Sequence, residues 1–295
     1  MIKQKVYIGH RIFTGFNIVF LLLLSAICIL PLINVLAISL SSSMAASAGW
    51  VKLWPVDFTL KSYQFVTASV DFIQSFWVST KRLMLGIPFN MLLTVLVAYP
   101  LSKEKQTFRM RTFFVWFFMI TTLFGGGLIP TYMIIRQTGL IDSIWALILP
   151  SAVPVFNIIL LLNFFRELPK ELEEAVFIDG AGHFKSLWTI YIPLSKPALA
   201  TLTLFVIVGH WNAWFDGLIY MNSPKNYPLQ SYLQTVLTAR DPRSMSPKDI
   251  EMLKFVNDRT SKAAQIFVSL IPVLLIYPFL QKYFTTGIVL GSVKG

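Results

Sequence analysis

The densest chemistry in this sequence lies between Glu171 and Pro197, in ELEEAVFIDGAGHFKSLWTIYIPLSKP. Glu171, Glu173, Glu174 and Asp179 are close enough to suggest acid–base work. Such work needs a second reactive group held beside the carboxylates, and none in the stretch reads as that partner. Gly180-Ala-Gly-His-Phe-Lys185-Ser186 echoes a phosphate-binding loop. That loop needs glycine immediately before its lysine, after a strand, so that backbone N–H groups converge on phosphate. Phe184 occupies the place and no strand precedes it. None of the three histidines stands at metal spacing from a second ligand. The lone Cys28 lies in an apolar run and cannot form an internal disulfide. By its residues alone, the stretch suits either a docking element or a solvated connecting loop.

The elements that must hold it are apolar. Of 295 residues, 55% are hydrophobic and 13% charged, against about 25% charged in ordinary soluble domains. Six runs reach the roughly 20 residues that a helix needs to cross a hydrocarbon layer. They span residues 12–40, 76–101, 112–135, 141–165, 198–220 and 263–284. Pro31, Pro88, Pro130, Pro154 and Pro272 fall inside them, and helix breaks survive in lipid only where neighbours or a water-filled cavity satisfy the backbone. The expectation is an all-α membrane bundle of six transmembrane helices. The net charge of +11 sits in short clusters beside apolar runs, the pattern of membrane anchoring rather than nucleic-acid binding.

Lys103, Lys105, Arg109 and Arg111, with Arg166, Lys170, Lys185 and Lys196, place residues 166–197 and both termini on the cytoplasmic side. The first run follows a basic start, and Ala46-Ser47-Ala48 resembles a cleavage site. That run is longer than a signal core and contains Pro31 and Asn34, so it reads as a retained span. The polar loop 221–262 falls outside the membrane and has a possible short helix around Pro247–Asp258. Lys81 and Arg82, near the outer edge, are expected to snorkel.

Within the cytoplasmic loop, Lys170–Ile178 reads as a short helix after Pro169. Gly180 and Gly182 end it, and Asp179 is placed to cap the helix that follows. Pro193 and Pro197 mark the return into the membrane. Glu174-Ala-Val-Phe-Ile-Asp179-Gly-Ala181, followed by Ile190-Tyr-Ile-Pro193, closely resembles the EAA motif of ABC importer membrane subunits. Val176 and Ile192 depart mildly from that pattern. Residues 125–175, the Trp211-Asn-Ala-Trp214 segment and the ending GIVLGSVKG resemble the carbohydrate-uptake, maltose-permease-like branch. The chain is similar to the second permease subunit of importers for complex oligosaccharides such as alginate, aldouronate or rhamnogalacturonan fragments.

The resemblance implies a type I ABC importer-like fold in a bacterial cytoplasmic membrane, with a coupling helix between helices 4 and 5. The implied partners are a second homologous permease subunit, a cytoplasmic ATPase dimer that carries ATP and Mg, an extracytoplasmic solute-binding protein and an oligosaccharide. The chain itself would bind no cofactor or metal and catalyse nothing. Glu174 and Asp179 would contact the ATPase, Gly180 would make the turn, and Ala175, Ala181 and Pro193 would shape the elbow. Gly291, Lys294 and Gly295 would supply a second contact, and Arg240, Asp241 and Arg243 would meet the binding protein. For a sugar route, Asn157, His210, Trp211, Asn212, Trp214 and Asp216 supply aromatic faces and hydrogen-bonding groups at membrane depth. Singly, each also suits helix-to-helix packing or an interfacial belt. An ion-driven transporter or channel would favour inverted repeats and paired buried carboxylates, and neither is visible in the sequence.

Overall fold

A computed structural model describes residues 8–238 and 258–291, and among these every regular element is a helix. The described residues fall into two compact units, each treated by itself. One draws on the chain up to Val70 and on Val236–Ile271, the other on Asp71–Thr235 and the chain from Pro272.

The first unit contains α1 (Ile8–Ser39). Residues 12–33 of this helix are exposed without interruption, although most are large and apolar, as a helix facing lipid or another subunit must be. Only its end packs: Ala37 and Ile38 join Ala45, Ala46, Val51 and Ala263 in a small core. Polar ties complete it. The Ser39 and Tyr63 hydroxyls lie 2.7 Å apart, and the Arg259 Nη1 donates to the Ala46 carbonyl at 2.9 Å.

The second unit is threaded by α2 (Val70–Ser102), continuous through Pro88 and Pro100. Its buried face runs Phe72, Ser75, Ser79, Arg82, Gly86, Asn90, Thr94 and Ala98, a stripe at helical spacing. The stripe is small and polar because an interior shared with other helices rewards close approach and hydrogen bonding, while the lipid side takes the bulk. Lower down, Val95, Ala98, Tyr99 and Leu101 pack against Ile158, Leu161, Leu162 and Phe165, with Leu187, Tyr191 and Leu202 closing the core.

Three uninterrupted helices are long and apolar enough to cross a membrane: Ile12–Ser39 within α1, α2, and Arg259–Pro278. Three bent pairs of helices are apolar enough as well, giving up to six spans among the described residues if each pair is counted as one. The helix α3 (Arg111–Leu123) turns by 113° into α4 (Leu128–Gln137). Gly125-Gly126-Gly127 make that turn, and Gly127 has φ +80°, a conformation glycine adopts at no steric cost. Two short 3₁₀ turns over Ile144–Ser151 meet α5 (Val155–Glu167) at 49°, with Pro154 at the break.

After α5 come α6 (Lys170–Ile178) and α7 (His183–Leu194), and α7 meets α8 (Lys196–Asn212) at 81°. Pro197 sits in the first turn of α8, where its missing N–H costs nothing. The helix α8 stops at Asn212, short of the expected residue 220. Ala213 and Trp214 are non-helical before α9 (Phe215–Tyr220) and α10 (Leu229–Thr238). The last described helix is α11 (Asp258–Gly291).

Candidate functional site

Halfway along α2, a cavity of about 450 Å³ opens between α2, the Ile144–Ser151 turns, α5 and α8. Arg82, Asn90, Asn157, His210 and Asp216 give it polar walls, and Pro150, Pro154, Phe205 and Val206 give it apolar ones. Arg82 organises the polar side. Its Nη1 and Nη2 donate to the two Asp216 oxygens at 3.2 and 2.5 Å, a bidentate pairing that suits the planar guanidinium. Nη2 also donates to the Leu147 carbonyl at 2.9 Å, and Nε donates to His210 Nδ1 at 3.1 Å.

An arginine Nε–H can only donate, so His210 accepts at Nδ1 and carries its proton on Nε2. That Nε2 is buried without a partner among the described residues and faces Gly86. Asn90 donates from Nδ2 to the Ser151 carbonyl at 3.1 Å, and its Oδ1 is likewise buried and unpartnered. One side chain of α2 therefore ties together the turn before α5, the end of α8 and the start of α9.

The second feature is the elbow after α6. Asp179 ends the helix, Gly180 turns left-handed at φ +76°, and the chain reverses. The Gly180 N–H reaches the Phe177 carbonyl at 3.0 Å and the Ala181 N–H reaches Val176 at 3.1 Å. This is the paired closure of a Schellman turn, which satisfies the helix's last carbonyls. Asp179 thus caps the helix before it, not the one after. The next helix starts at His183, preceded by Gly182 and with no side-chain cap, because an aspartate already spent as a C-cap residue is on the wrong side of the turn.

The elbow presents apolar surface to solvent. Ile178 is 85% exposed and Phe184 70%. Glu171, Glu174, Ala175, Asp179 and Pro193 are also exposed, and Ala181 is partly so. Beneath it, Arg111 and Arg166 donate to the Leu101 carbonyl at 2.9 and 3.2 Å, covering the negative end of α2. Lys170 pairs with Glu104 on the surface and holds the Glu104 carboxyl below its usual range, mainly by their hydrogen bond. Exposed pairs of this kind contribute little stability.

With this geometry in view, comparisons with known proteins identify the family. The model of the "Binding-protein-dependent transport system inner membrane component" family matches residues 11–289. The chain belongs to this family. Protein LplC of Bacillus subtilis (strain 168) is 38% identical over 97% of this chain and 96% of its own length. The polygalacturonan/rhamnogalacturonan transport system permease protein YtcP of the same organism is 37% identical, over 97% and 99%. A chain in the crystal structure of a bacterial ABC transporter that imports the acidic polysaccharide alginate superposes with a TM-score of 0.88 at 32% identity, covering 96% of this chain and all of that one. The protein is a permease subunit of a binding-protein-dependent importer, multi-pass and of the type I importer fold.

In this permease, Asn157, His210 and Asp216 meet around one cavity, while Trp211, Asn212 and Trp214 do not line it. Trp211 is buried edge-on against Phe76, at 5.8 Å between ring centroids. Asn212 and Trp214 sit at the break between α8 and α9 and are exposed. Gly291 is the last residue of α11. Lys294, Gly295, Arg240, Asp241, Arg243 and residues 247–257 of the helix expected around Pro247–Asp258 lie outside the described residues, and Asp258 begins α11.

Arg82 corrects an expectation. It does not snorkel: it is 2% exposed, because Asp216 offers its charge a partner inside the bundle, whereas neighbouring Lys81 is exposed. Arg82 and Asn90 line the cavity in addition to the residues expected from the sequence. Their signal was the spacing Ser75, Ser79, Arg82, Gly86, Asn90, Thr94, a polar stripe inside an apolar span.

The stripe also sets a packing limit. A Cβ on Gly86 would lie 2.8 Å from His210 Nε2, and Arg82 holds that ring in place. Gly86→Ala is expected to destabilise the permease by about 1–3 kcal/mol, the usual cost of overpacking. Thermal unfolding in detergent measures it, and adding His210→Ala, which empties the contact, should recover part of the loss.

Proposed function

We propose that this permease forms one half of the membrane gate of an oligosaccharide importer, driven by a separate ATPase that grips the elbow after α6. The observation that carries this is the closed turn itself. Its backbone is internally satisfied, yet Ile178 and Phe184 stand in the open beside Ala175 and Asp179. A merely solvated loop gains nothing by exposing them, while a docking element gains apolar contact area and close approach.

In this reading the elbow and both chain termini are cytoplasmic, in keeping with the lysines and arginines gathered around residues 103–111 and 166–196. ATP and Mg bind the partner ATPase, and this chain contributes no catalytic group. A second, homologous permease completes the pathway. Residues 221–262 face the extracytoplasmic binding protein, with Arg240, Asp241 and Arg243 as contacts. Gly291, Lys294 and Gly295 add a second approach to the ATPase.

The substrate class rests on two supports. Among the similar proteins, YtcP is named for polygalacturonan/rhamnogalacturonan transport and the superposed structure for import of the acidic polysaccharide alginate. The cavity combines amides, a histidine and an ion pair with an aromatic wall, the mixture that orients hydroxylated rings.

Extraction of the full assembly from membranes tests the proposal. The permease should bring down a second permease and an ATPase dimer, and in vesicles should take up oligosaccharide only with ATP. Movement of solute by the purified chain alone, without nucleotide, would overturn it.

A further inference from the structure

Glu173 is the acid of α6 that behaves differently. Glu171 and Glu174 are exposed, but Glu173 turns inward, with its side chain 16% exposed. It meets Lys103, the first residue after α2, whose Nζ donates to Glu173 Oε1 at 2.5 Å and to the Tyr191 hydroxyl at 2.8 Å. The Tyr191 hydroxyl in turn donates to Glu173 Oε2 at 2.7 Å, so the three groups close a ring.

The ammonium is also boxed by aromatic faces. It lies 4.1 Å from the centroid of Tyr99 and 4.0 Å from that of Tyr191, distances at which a desolvated cation is held by the ring quadrupole. Tyr99, Tyr191 and Phe165 pack edge-to-face around it, 5.0 to 6.4 Å apart. Burial draws the lysine below its ordinary range, and the Glu173 carboxylate opposes that shift.

The members come from four places in the chain: Tyr99 at the end of α2 with Lys103 just after it, Phe165 in α5, Glu173 in α6 and Tyr191 in α7. The elbow thus has two faces. Its outer one, with Ile178 and Asp179, is exposed, and its inner one is held by the buried Lys103–Glu173 pair, apart from the exposed pair of Lys170 with Glu104.

We propose that Lys103 is the positioning residue that fixes α6 to the crossing helices, so that displacement of the elbow is passed to α2, α5 and α7 as one body. This deepens the docking reading given above and rests on it. Flexible packing alone would let α6 tilt in its seat. A charged group bonded at two points and caged by two rings resists tilt, because any movement exposes a partnered charge to an unpaired site.

The test uses the complete importer in vesicles and compares the parent with Lys103→Met, Lys103→Arg and Tyr191→Phe. Methionine keeps the apolar stem while removing the charge, and Tyr191→Phe keeps the ring while removing the hydroxyl. In Lys103→Met the ATPase should still copurify in full and hydrolyse ATP at the parental rate, with uptake per ATP falling about tenfold, within the usual range of coupling energies. Lys103→Arg should recover part of that ratio and Tyr191→Phe should lose less of it.

Unchanged uptake per ATP in Lys103→Met would overturn the assignment. So would loss of assembly in step with uptake in both Lys103→Met and Tyr191→Phe, which would make the cluster a folding element only. Failure of the docking reading looks different, since the parent protein would then bring down no ATPase.

Discussion

Asp216→Leu should be among the most damaging single substitutions in the membrane part of this permease, lowering its stability by roughly 3–5 kcal/mol. The reason is what remains. Arg82 is buried, and the Leu147 carbonyl and His210 Nδ1 that remain are neutral acceptors with no charge to offset its guanidinium. Arg82→Met should cost less. The Asp216 side chain left behind is 23% exposed and still accepts from the Gly217 N–H at 2.8 Å.

The double variant, Arg82→Met with Asp216→Leu, should recover most of the stability lost in Asp216→Leu, since apolar residues of similar volume often replace a buried pair at little cost. The recovery should fall short by about 1 kcal/mol, because His210 Nδ1 loses its donor. Thermal unfolding of the four proteins in detergent completes a double-mutant cycle. Additive losses, with no recovery in the double variant, would show that the pair does not carry the packing of α2 against α8 and α9. Uptake by the folded double variant then reports what the ion pair does for transport, apart from what it does for folding.

Arg82 also shows where sequence stops being legible. Features fixed by nearby residues could be read directly. The helix after Pro169, its end at Gly180 and the helix breaks at Pro154 and Pro197 depend on proline's missing donor or glycine's freedom, which act within a few residues. The breaks expected at Pro31, Pro88 and Pro272, by contrast, do not occur, because those helices run on through them. The overall class was legible because apolar runs of spanning length leave few alternatives.

What could not be read was which polar residue meets which. His210 and Asp216 were singled out by type. That Arg82 joins them across more than a hundred residues follows only from the packing of α2. Lys103 and Glu173 looked like an anchoring cluster and an acidic surface, yet they pair with each other in the interior. Trp211 and Trp214 differ from these, since neither lines the cavity. Aromatic type suggested a sugar platform, but α8 ends at Asn212 and turns Trp214 away from the cavity. The periodic polar stripe of α2 could have been found beforehand, since small and polar residues every third or fourth position inside an apolar span mark its inward face.

The two charged centres divide the labour within the second unit. Arg82 ties the upper half of α2 to the turns and helix ends around the cavity, and Lys103 ties its lower end to α6 and α7. Between them, Gly86, Asn90, Thr94 and Ala98 offer little side-chain bulk to hold the helix apart from its neighbours. Two fixed points on a smooth-faced helix describe a lever more readily than a static pillar, and that is the property a gate moved from one side requires.

Substitutions at the elbow should therefore abolish transport without unfolding the chain. Gly180 has φ +76°, while proline fixes φ near −65° and has no N–H, so Gly180→Pro loses both the left-handed turn and the bond to Phe177. Nothing lies within 4 Å of where a Cβ would sit, so the change acts through backbone conformation and not through collision. ATP-driven uptake in vesicles is expected to fall to background, while membrane content stays near that of the parent and thermal unfolding shifts only by the cost of the local turn. Gly180→Ala, which must enter the left-handed region at about 1–2 kcal/mol, should fall between, and Gly180→Asn should be milder because asparagine tolerates that region. Asp179→Lys separates shape from contact. A cation suits the negative end of α6, so the turn persists, yet the charge offered to the proposed ATPase partner is reversed and uptake should drop by at least about tenfold. Normal ATP-driven uptake in both Gly180→Pro and Asp179→Lys would mean that force enters this permease somewhere other than the elbow.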